Sequence, residues 1–238
     1  LIVTVDTGTT SVEEVKYAKD AGLDIVVTDH HECSETLPDC PVVNPKRKDS
    51  GYPFPFLAGV GVVFKVVSFL SKENAATLFS EYGYLAAVGT VADIMPLLGE
   101  NRIIVKHGLS SFSEEENIGL SALINAAECS FSDSSSVAFR IAPRLNAVGR
   151  MASAKTAVEL LLCEDERKAA ELAGILCEKN EERQSTEKRI FSSVEQRLGN
   201  EEQHNIIVEG DESWHNGVIG IVASRLVEKY RRPTILFT

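Results

Sequence analysis

No stretch of this sequence stays apolar for the roughly 20 residues needed to span a bilayer, and none of it is expected to act as a secretory leader. Its cysteines are few and odd in number: Cys33, Cys40, Cys129, Cys163 and Cys177, with no CxxC pair among them. That pattern argues against a disulfide framework or a zinc finger and for free thiols in a reducing, cytoplasmic setting. Positive charge is also scarce, with 24 basic against 35 acidic residues and a net charge of −11. A chain so acidic does not bind nucleic acid by bulk electrostatics. Any phosphate-bearing substrate must be held by metal ions and local arginines against an unfavourable overall field. Internal repeats and low-complexity tracts are absent. What is present is 238 residues, 44% of them hydrophobic, enough for one large or two modest domains.

The chain is organised around Val26-Val27-Thr28-Asp29-His30-His31-Glu32, a short apolar run that ends in an acid, two histidines and another acid. Ile25–Val27 reads as a buried parallel strand, and ligands of open α/β sheets bind beyond the carboxyl ends of such strands. Neutral imidazole beside carboxylate is ligand chemistry for a divalent transition metal, although a surface turn with two incidental histidines has the same composition. Upstream, the apolar strand Leu1–Val5 runs into Asp6-Thr7-Gly8. Ser11 and Glu14 fit a capping box for a helix that stops near Gly22, and Asp24–Thr28 is the next strand. This βαβ unit puts Asp6 and His30 at the same edge of neighbouring strands. Both chain ends, Leu1–Val5 and Ile235–Thr238, read as strands cut from a sheet, so the expectation is a fragment.

A third strand is expected at Pro41–Asn44, then a polar loop over 45–56 and a buried apolar helix from Leu57. Gly59 and Gly61 lack the third glycine and the preceding strand of a dinucleotide fingerprint, so close helix packing is the better reading. An apolar helix over Leu85–Ile94 carries one acid, Asp93, whose burial would need a partner or a metal. An exposed helix end is the competing reading. A further helix opens at Glu100-Asn101-Arg102, residues 113–136 are rich in Ser and Glu, and another helix covers Leu120–Ala127. Three arginines, an asparagine and a glycine within Arg140–Arg150 suggest anion recognition, with scattered surface arginines as the alternative. Glu164–Leu198 reads as one long polar helix with a thin stripe of Leu172, Ile175, Leu176 and Ile190. Strand Asn205–Glu209, helix Val218–Tyr230 and strand Pro233–Phe237 begin a second α/β pattern. Trp214-His215-Asn216-Gly217 before that helix is a glycine turn suited to an anion.

In this order the pieces resemble the DHH phosphoesterase superfamily and, within it, exonucleases specific for single-stranded DNA. The matching residues are Val5-Asp6-Thr7-Gly8, Thr28-Asp29-His30-His31-Glu32, Leu57-Ala58-Gly59-Val60-Gly61 and Gly89-Thr90-Val91-Ala92-Asp93 with Glu100-Asn101-Arg102. They continue through Pro143–Arg150 and Trp214–Arg225. The Asp-His-His triplet marks the superfamily, and the last two stretches are more specific to the exonuclease branch. The resemblance implies an α/β fold. A parallel-sheet DHH domain over 1–163 is joined by a long helix, 164–200, to the start of a second α/β domain over 201–238. It implies metal-dependent hydrolysis of single-stranded DNA, 5′ to 3′, in DNA repair and recombination. The cofactor would be two Mn2+ or Mg2+ ions, with Asp6 bridging them and His30 and Asp93 as ligands to one. Asp29 would orient imidazole and His31 would donate to phosphate. Arg144, Asn146 and Arg150 would bind the DNA backbone or its 5′ end, with His215 and Gly217 contributing from the second domain, and the long helix setting the width of the cleft. A single-strand-binding protein and a helicase are the implied protein partners, with no membrane. The family's first motif, an Asp-rich strand end, would lie upstream of Leu1, and an OB-type domain would lie beyond Thr238. The 238 residues alone are therefore expected to hydrolyse DNA poorly. A small-substrate enzyme (a pyrophosphatase or short-oligonucleotide phosphatase) and a non-catalytic replication scaffold are the competing functions. Retention of Asp6, Asp29, His30, His31 and Asp93 speaks against the scaffold.

Overall fold

A strand, a crossover helix and a second strand return the chain to the same sheet edge, so alternating β and α segments build parallel sheets. The computed structural model, which describes residues 1–113, 117–199 and 205–238, has this arrangement at the start of the chain. β1 (Ile2–Val5), α1 (Val12–Asp20), β2 (Ile25–Thr28) and β3 (Val42–Val43) give a parallel sheet in the order β1-β2-β3. β1 and β2 pair from Ile2↔Ile25 to Val5↔Thr28, so Asp6 and Asp29 follow directly opposed residues. Val15 of α1 packs with Ile25, Val27 and Val42 in one core cluster. Full burial of such a side chain contributes about 1.5–3 kcal/mol. Ser11 precedes α1 but makes no side-chain capping bond, so the expected box with Glu14 does not form. Its backbone (ψ 58°) departs from the extended geometry that aims a cap hydroxyl at the helix amides.

α2 (Gly59–Ser71) carries the apolar run expected after Leu57. α3 (Ala75–Leu78) continues through a π-helical turn, Phe79–Gly83, into α4 (Tyr84–Ala92), so helix begins ahead of Leu85. α5 (Gly99–Ser111) follows, and Leu57, Val62, Phe64, Leu78, Ala86 and Ile104 form the core between these helices.

α6 (Ile118–Ala126) and α7 (Ser134–Ser136) come next, and α7 leads through a second π-helical turn, Val137–Ile141, into α8 (Ala142–Met151). The arginine and asparagine stretch is thus helical. Pro143 follows directly on the π-helical turn, where the regular i→i−4 bonding is already interrupted, and its missing amide falls at that irregularity. α9 (Lys155–Leu161) and α10 (Glu166–Leu198) follow. β4 (Ile207–Gly210), α11 (Asn216–Tyr230) and β5 (Thr234–Phe237) complete a second parallel βαβ, paired from Ile207↔Thr234 to Gly210↔Phe237. The long helix α10 joins the two parallel α/β regions.

By contacts the chain forms two units, Leu1–Glu116 with Glu128–Ala142, and Asn117–Ala127 with Pro143–Thr238. The expected boundary at 200/201 lies outside the described residues, as do 114–116 of the Ser- and Glu-rich segment. On α10, Ala169, Leu172, Ala173, Leu176, Ile190 and Val194 form the buried stripe, whereas Ile175 is exposed. Two polar residues share that stripe, Asn180 and Glu187, and Arg183 bonds both. Arg225 of α11 takes the second oxygen of Glu187, so the buried carboxylate is fully paired, which its burial demands. Among the described residues, no helix is long and apolar enough to cross a membrane.

Candidate metal centre

The carboxyl edge of the β1-β2-β3 sheet collects the chemistry. Asp6 follows β1, donates its amide to Thr28 O at 3.0 Å and takes a left-handed backbone (φ 62°), a conformation Asp tolerates better than most residues. Asp29 follows β2 and is 2% exposed. Its carboxylate accepts from Thr9 N (2.9 Å), His30 N (2.7 Å), His31 N (3.2 Å) and His31 Nδ1 (2.7 Å). Burial alone would raise this carboxyl, but the bonds from Thr9 and His31 outweigh it and hold the group well below the usual carboxylate range. Asp29 thereby fixes both histidines: it pins the His30 and His31 backbone and one nitrogen of the exposed His31 ring. The hydrogen bond to Asp29 pushes the His31 pKa up against partial desolvation, and the negative charges of Asp29, Asp6 and Asp93 add to it.

Asp93 closes α4 as its C-terminal cap. Ile94 N bonds to Val91 O and Met95 N to Thr90 O, with Ile94 in the left-handed region (φ 56°), a Schellman closure. Partial burial raises the Asp93 carboxyl, the charge of Asp6 raises it further, and His30 opposes both.

These elements meet at His30. Its Nε2 lies 3.0 Å from Asp6 Oδ1 and 3.5 Å from Asp93 Oδ2, while the ring is buried and its Nδ1 has no hydrogen-bond partner. Asp6, His30 and His31 offer ligand atoms that all lie within 4.8 Å of one another. Imidazole nitrogen beside carboxylate oxygen is ligand chemistry for a divalent metal ion. The space is shaped for it as well: a Cβ built on Gly59, the first residue of α2, would come within 2.4 Å of Asp6 Oδ1. The residues present fit a metal. Gly59 does more than permit helix packing, since its missing side chain is what admits the Asp6 carboxylate.

Three residues outside the expected site set support the centre. Thr9 is buried and supplies its amide to Asp29. Asn44, buried just after β3, donates to Thr9 Oγ1 (2.9 Å) and His31 O (3.0 Å). Asn101 is buried behind the loop that follows Asp93. The signal for Asn44 was its place at the same strand-end edge as Asp6 and Asp29.

The remaining expected residues lie in the second unit. Arg144 of α8 is half-buried, its Nε donating to Cys177 Sγ of α10 at 3.3 Å. Asn146 and Arg150 are exposed, and Arg150 reaches Gly217 O at 3.5 Å. His215 Nδ1 accepts from Gly217 N at 3.1 Å and caps α11. A Cβ on Gly217 would lie 2.3 Å from Arg150 O, so the start of α11 can rest on the end of α8 only with glycine there. The structure therefore brings Arg150, His215 and Gly217 together, with Arg144 and Asn146 on the same helix as Arg150.

Residues 1–90 match the model of the DHH family, N-terminal domain. The chain is 42% identical over 243 residues to the single-stranded-DNA-specific exonuclease RecJ of Bacillus subtilis, covering 99% of this chain and 30% of that protein. It is similar to a crystal structure of exonuclease RecJ bound to manganese, with 35% identity and a TM-score of 0.84, covering 99% of this chain and 60% of that one. It is also similar to Thermus thermophilus RecJ in complex with Mg2+, with 34% identity and a TM-score of 0.75, covering 98% of this chain and 34% of that one. The chain thus spans only part of the length of these relatives. Residues 1–90, which match the DHH family model, thus carry Asp6, Asp29, His30 and His31, and nearly the whole chain is similar to a part of the exonuclease RecJ.

Proposed function

We propose that the chain carries the metal-dependent centre of a phosphodiesterase that degrades single-stranded DNA 5′ to 3′ in DNA repair and recombination. The observation that supports this most strongly is the meeting of His30 Nε2 with Asp6 at 3.0 Å and Asp93 at 3.5 Å. Similarity to RecJ over nearly the whole chain supports the substrate. In functional terms residues 1–163 are the DHH domain, 164–200 the connecting helix and 201–238 the start of an associated domain.

Two divalent ions, Mn2+ or Mg2+, would supply an activated hydroxide and relieve charge on the phosphate oxygens. Asp6 would bridge them, with His30 and Asp93 as further ligands. Asp29 Oδ1 holds His31 Nδ1 at 2.7 Å and so orients the ring, which would aim its other nitrogen at a non-bridging phosphate oxygen. Arg144, Asn146 and Arg150, with His215 and Gly217, would hold the DNA backbone or its 5′ end. Locating the cations on α8 compensates locally for a net charge of −11.

The test is hydrolysis of end-labelled single-stranded and duplex oligonucleotides with Mn2+, using the longest natural protein that carries these residues. Single strands should be shortened from the 5′ end, chelation should stop the reaction, and Asp93→Ala should lower the rate by about a hundredfold or more. A full rate in Asp93→Ala would remove Asp93 from the centre, and preference for pyrophosphate over DNA would reassign the substrate.

A further inference from the structure

Asn101 lies in the first turn of α5 and is fully buried. Its Nδ2 donates to Phe56 O at 2.6 Å and to Pro96 O at 3.0 Å, while its Oδ1 has no partner. Chemistry fixes the orientation of this amide, because turning it over would set Oδ1 against two carbonyl oxygens. A buried amide that uses both donors and leaves its acceptor empty is held for its donors.

The two carbonyls belong to the two segments that build the metal centre. Phe56 lies three residues before Gly59, against which the Asp6 carboxylate rests. Pro96 lies three residues after Asp93, in a loop entered through Ile94, a β-branched residue in the left-handed region (φ 56°). Such a backbone persists only where its surroundings over-determine it. We infer that Asn101 is a positioning residue of the metal centre: its two hydrogen bonds fix the backbone that bears Asp93 relative to the backbone on which Asp6 lies, and so set the spacing of both carboxylates about His30. The inference rests on the metal reading proposed above. Asn101 touches neither metal nor substrate and acts only through these carbonyls.

The test is Mn2+ affinity, read from the electron paramagnetic resonance signal of free Mn2+, together with thermal stability, for four forms of the chain. These are the unaltered protein, Asp93→Ala, Asn101→Leu and Val62→Ala; Val62 is buried in the core between the helices and makes no side-chain hydrogen bond. Asn101→Leu keeps the branched heavy-atom skeleton and removes the donors. It should weaken Mn2+ binding about tenfold or more, the scale of lost support behind a ligand, whereas Val62→Ala should leave Mn2+ affinity unchanged at a comparable loss of melting temperature. If Asn101→Leu does not fold, Asn101→Asp, which keeps the shape and sets oxygen against a carbonyl, carries the same comparison. Unchanged Mn2+ affinity in the Asn101 variant, with affinity lost in Asp93→Ala, would overturn the inference alone. Unchanged affinity in Asp93→Ala would overturn the metal reading beneath it.

Discussion

The two parallel strand pairs, β1 with β2 and β4 with β5, both run out into an acid, and the two acids do different things. After β4, Asp211 turns its carboxylate back onto Ser213 N (3.0 Å) and Ser213 Oγ (2.6 Å) and pairs with Arg197. The Ser213 bonds, aided by the Arg197 charge, hold its pKa down at about 2. Both carboxylate oxygens are engaged by the protein's own donors, and the acid shapes the turn ahead of α11. After β1, Asp6 faces an imidazole nitrogen across 3.0 Å, within reach of a second histidine. The strand-end position alone therefore does not make a metal site. What decides is whether the protein's own donors fill the carboxylate or leave it aimed at a neighbouring ligand atom.

The two glycines of these regions sharpen the comparison, because each makes room for a different partner. Gly59→Ala would drive a methyl group onto the Asp6 carboxylate. Mn2+ affinity should fall about tenfold or more, while single-strand binding without metal should stay as it was. Gly217→Ala would meet the rigid Arg150 carbonyl, with no flexible side chain to give way. Stability should fall by about 1–3 kcal/mol, single-strand affinity should drop, and Mn2+ affinity should hold. Calorimetric titrations with Mn2+ and with an oligonucleotide separate the two, and a reversal of these patterns would break the distinction between the regions.

A smaller effect is expected at Arg150, whose side chain is exposed and makes only a long contact with Gly217 O. Arg150→Ala should weaken single-strand binding and reduce the slope of log affinity against log salt by somewhat less than one. The melting temperature should barely move. A lowered melting temperature with intact DNA affinity would make Arg150 a clasp for α11 instead.

The sequence revealed the parts of this arrangement that depend on periodicity and chain order. Alternation of apolar strand and helix placed Asp6 and His30 at one edge, and the lone acid of an apolar helix singled out Asp93. The long helix was legible from its polar periodicity, although Ile175 faces out and small alanines complete the stripe. What could not be read depends on tertiary approach. Gly59 gains its meaning from an aspartate 53 positions earlier, and Asn101 from carbonyls that only the folded loops bring together. Thr9 and Asn44 act through hydrogen bonds to Asp29, to His31 and to one another, which no local pattern encodes. Helix α8 was missed because its arginines drew attention to charge, and Pro143 reads locally as a helix stop.

The central claim is that Asp6, His30 and Asp93 hold a divalent ion, and crystals of the protein grown with Mn2+ test it directly. Anomalous difference density at the manganese edge should show an ion within about 2.5 Å of His30 Nε2 and of carboxylate oxygens from Asp6 and Asp93. A peak elsewhere, or none at this edge of the sheet while Mn2+ saturates the protein in solution, would contradict it.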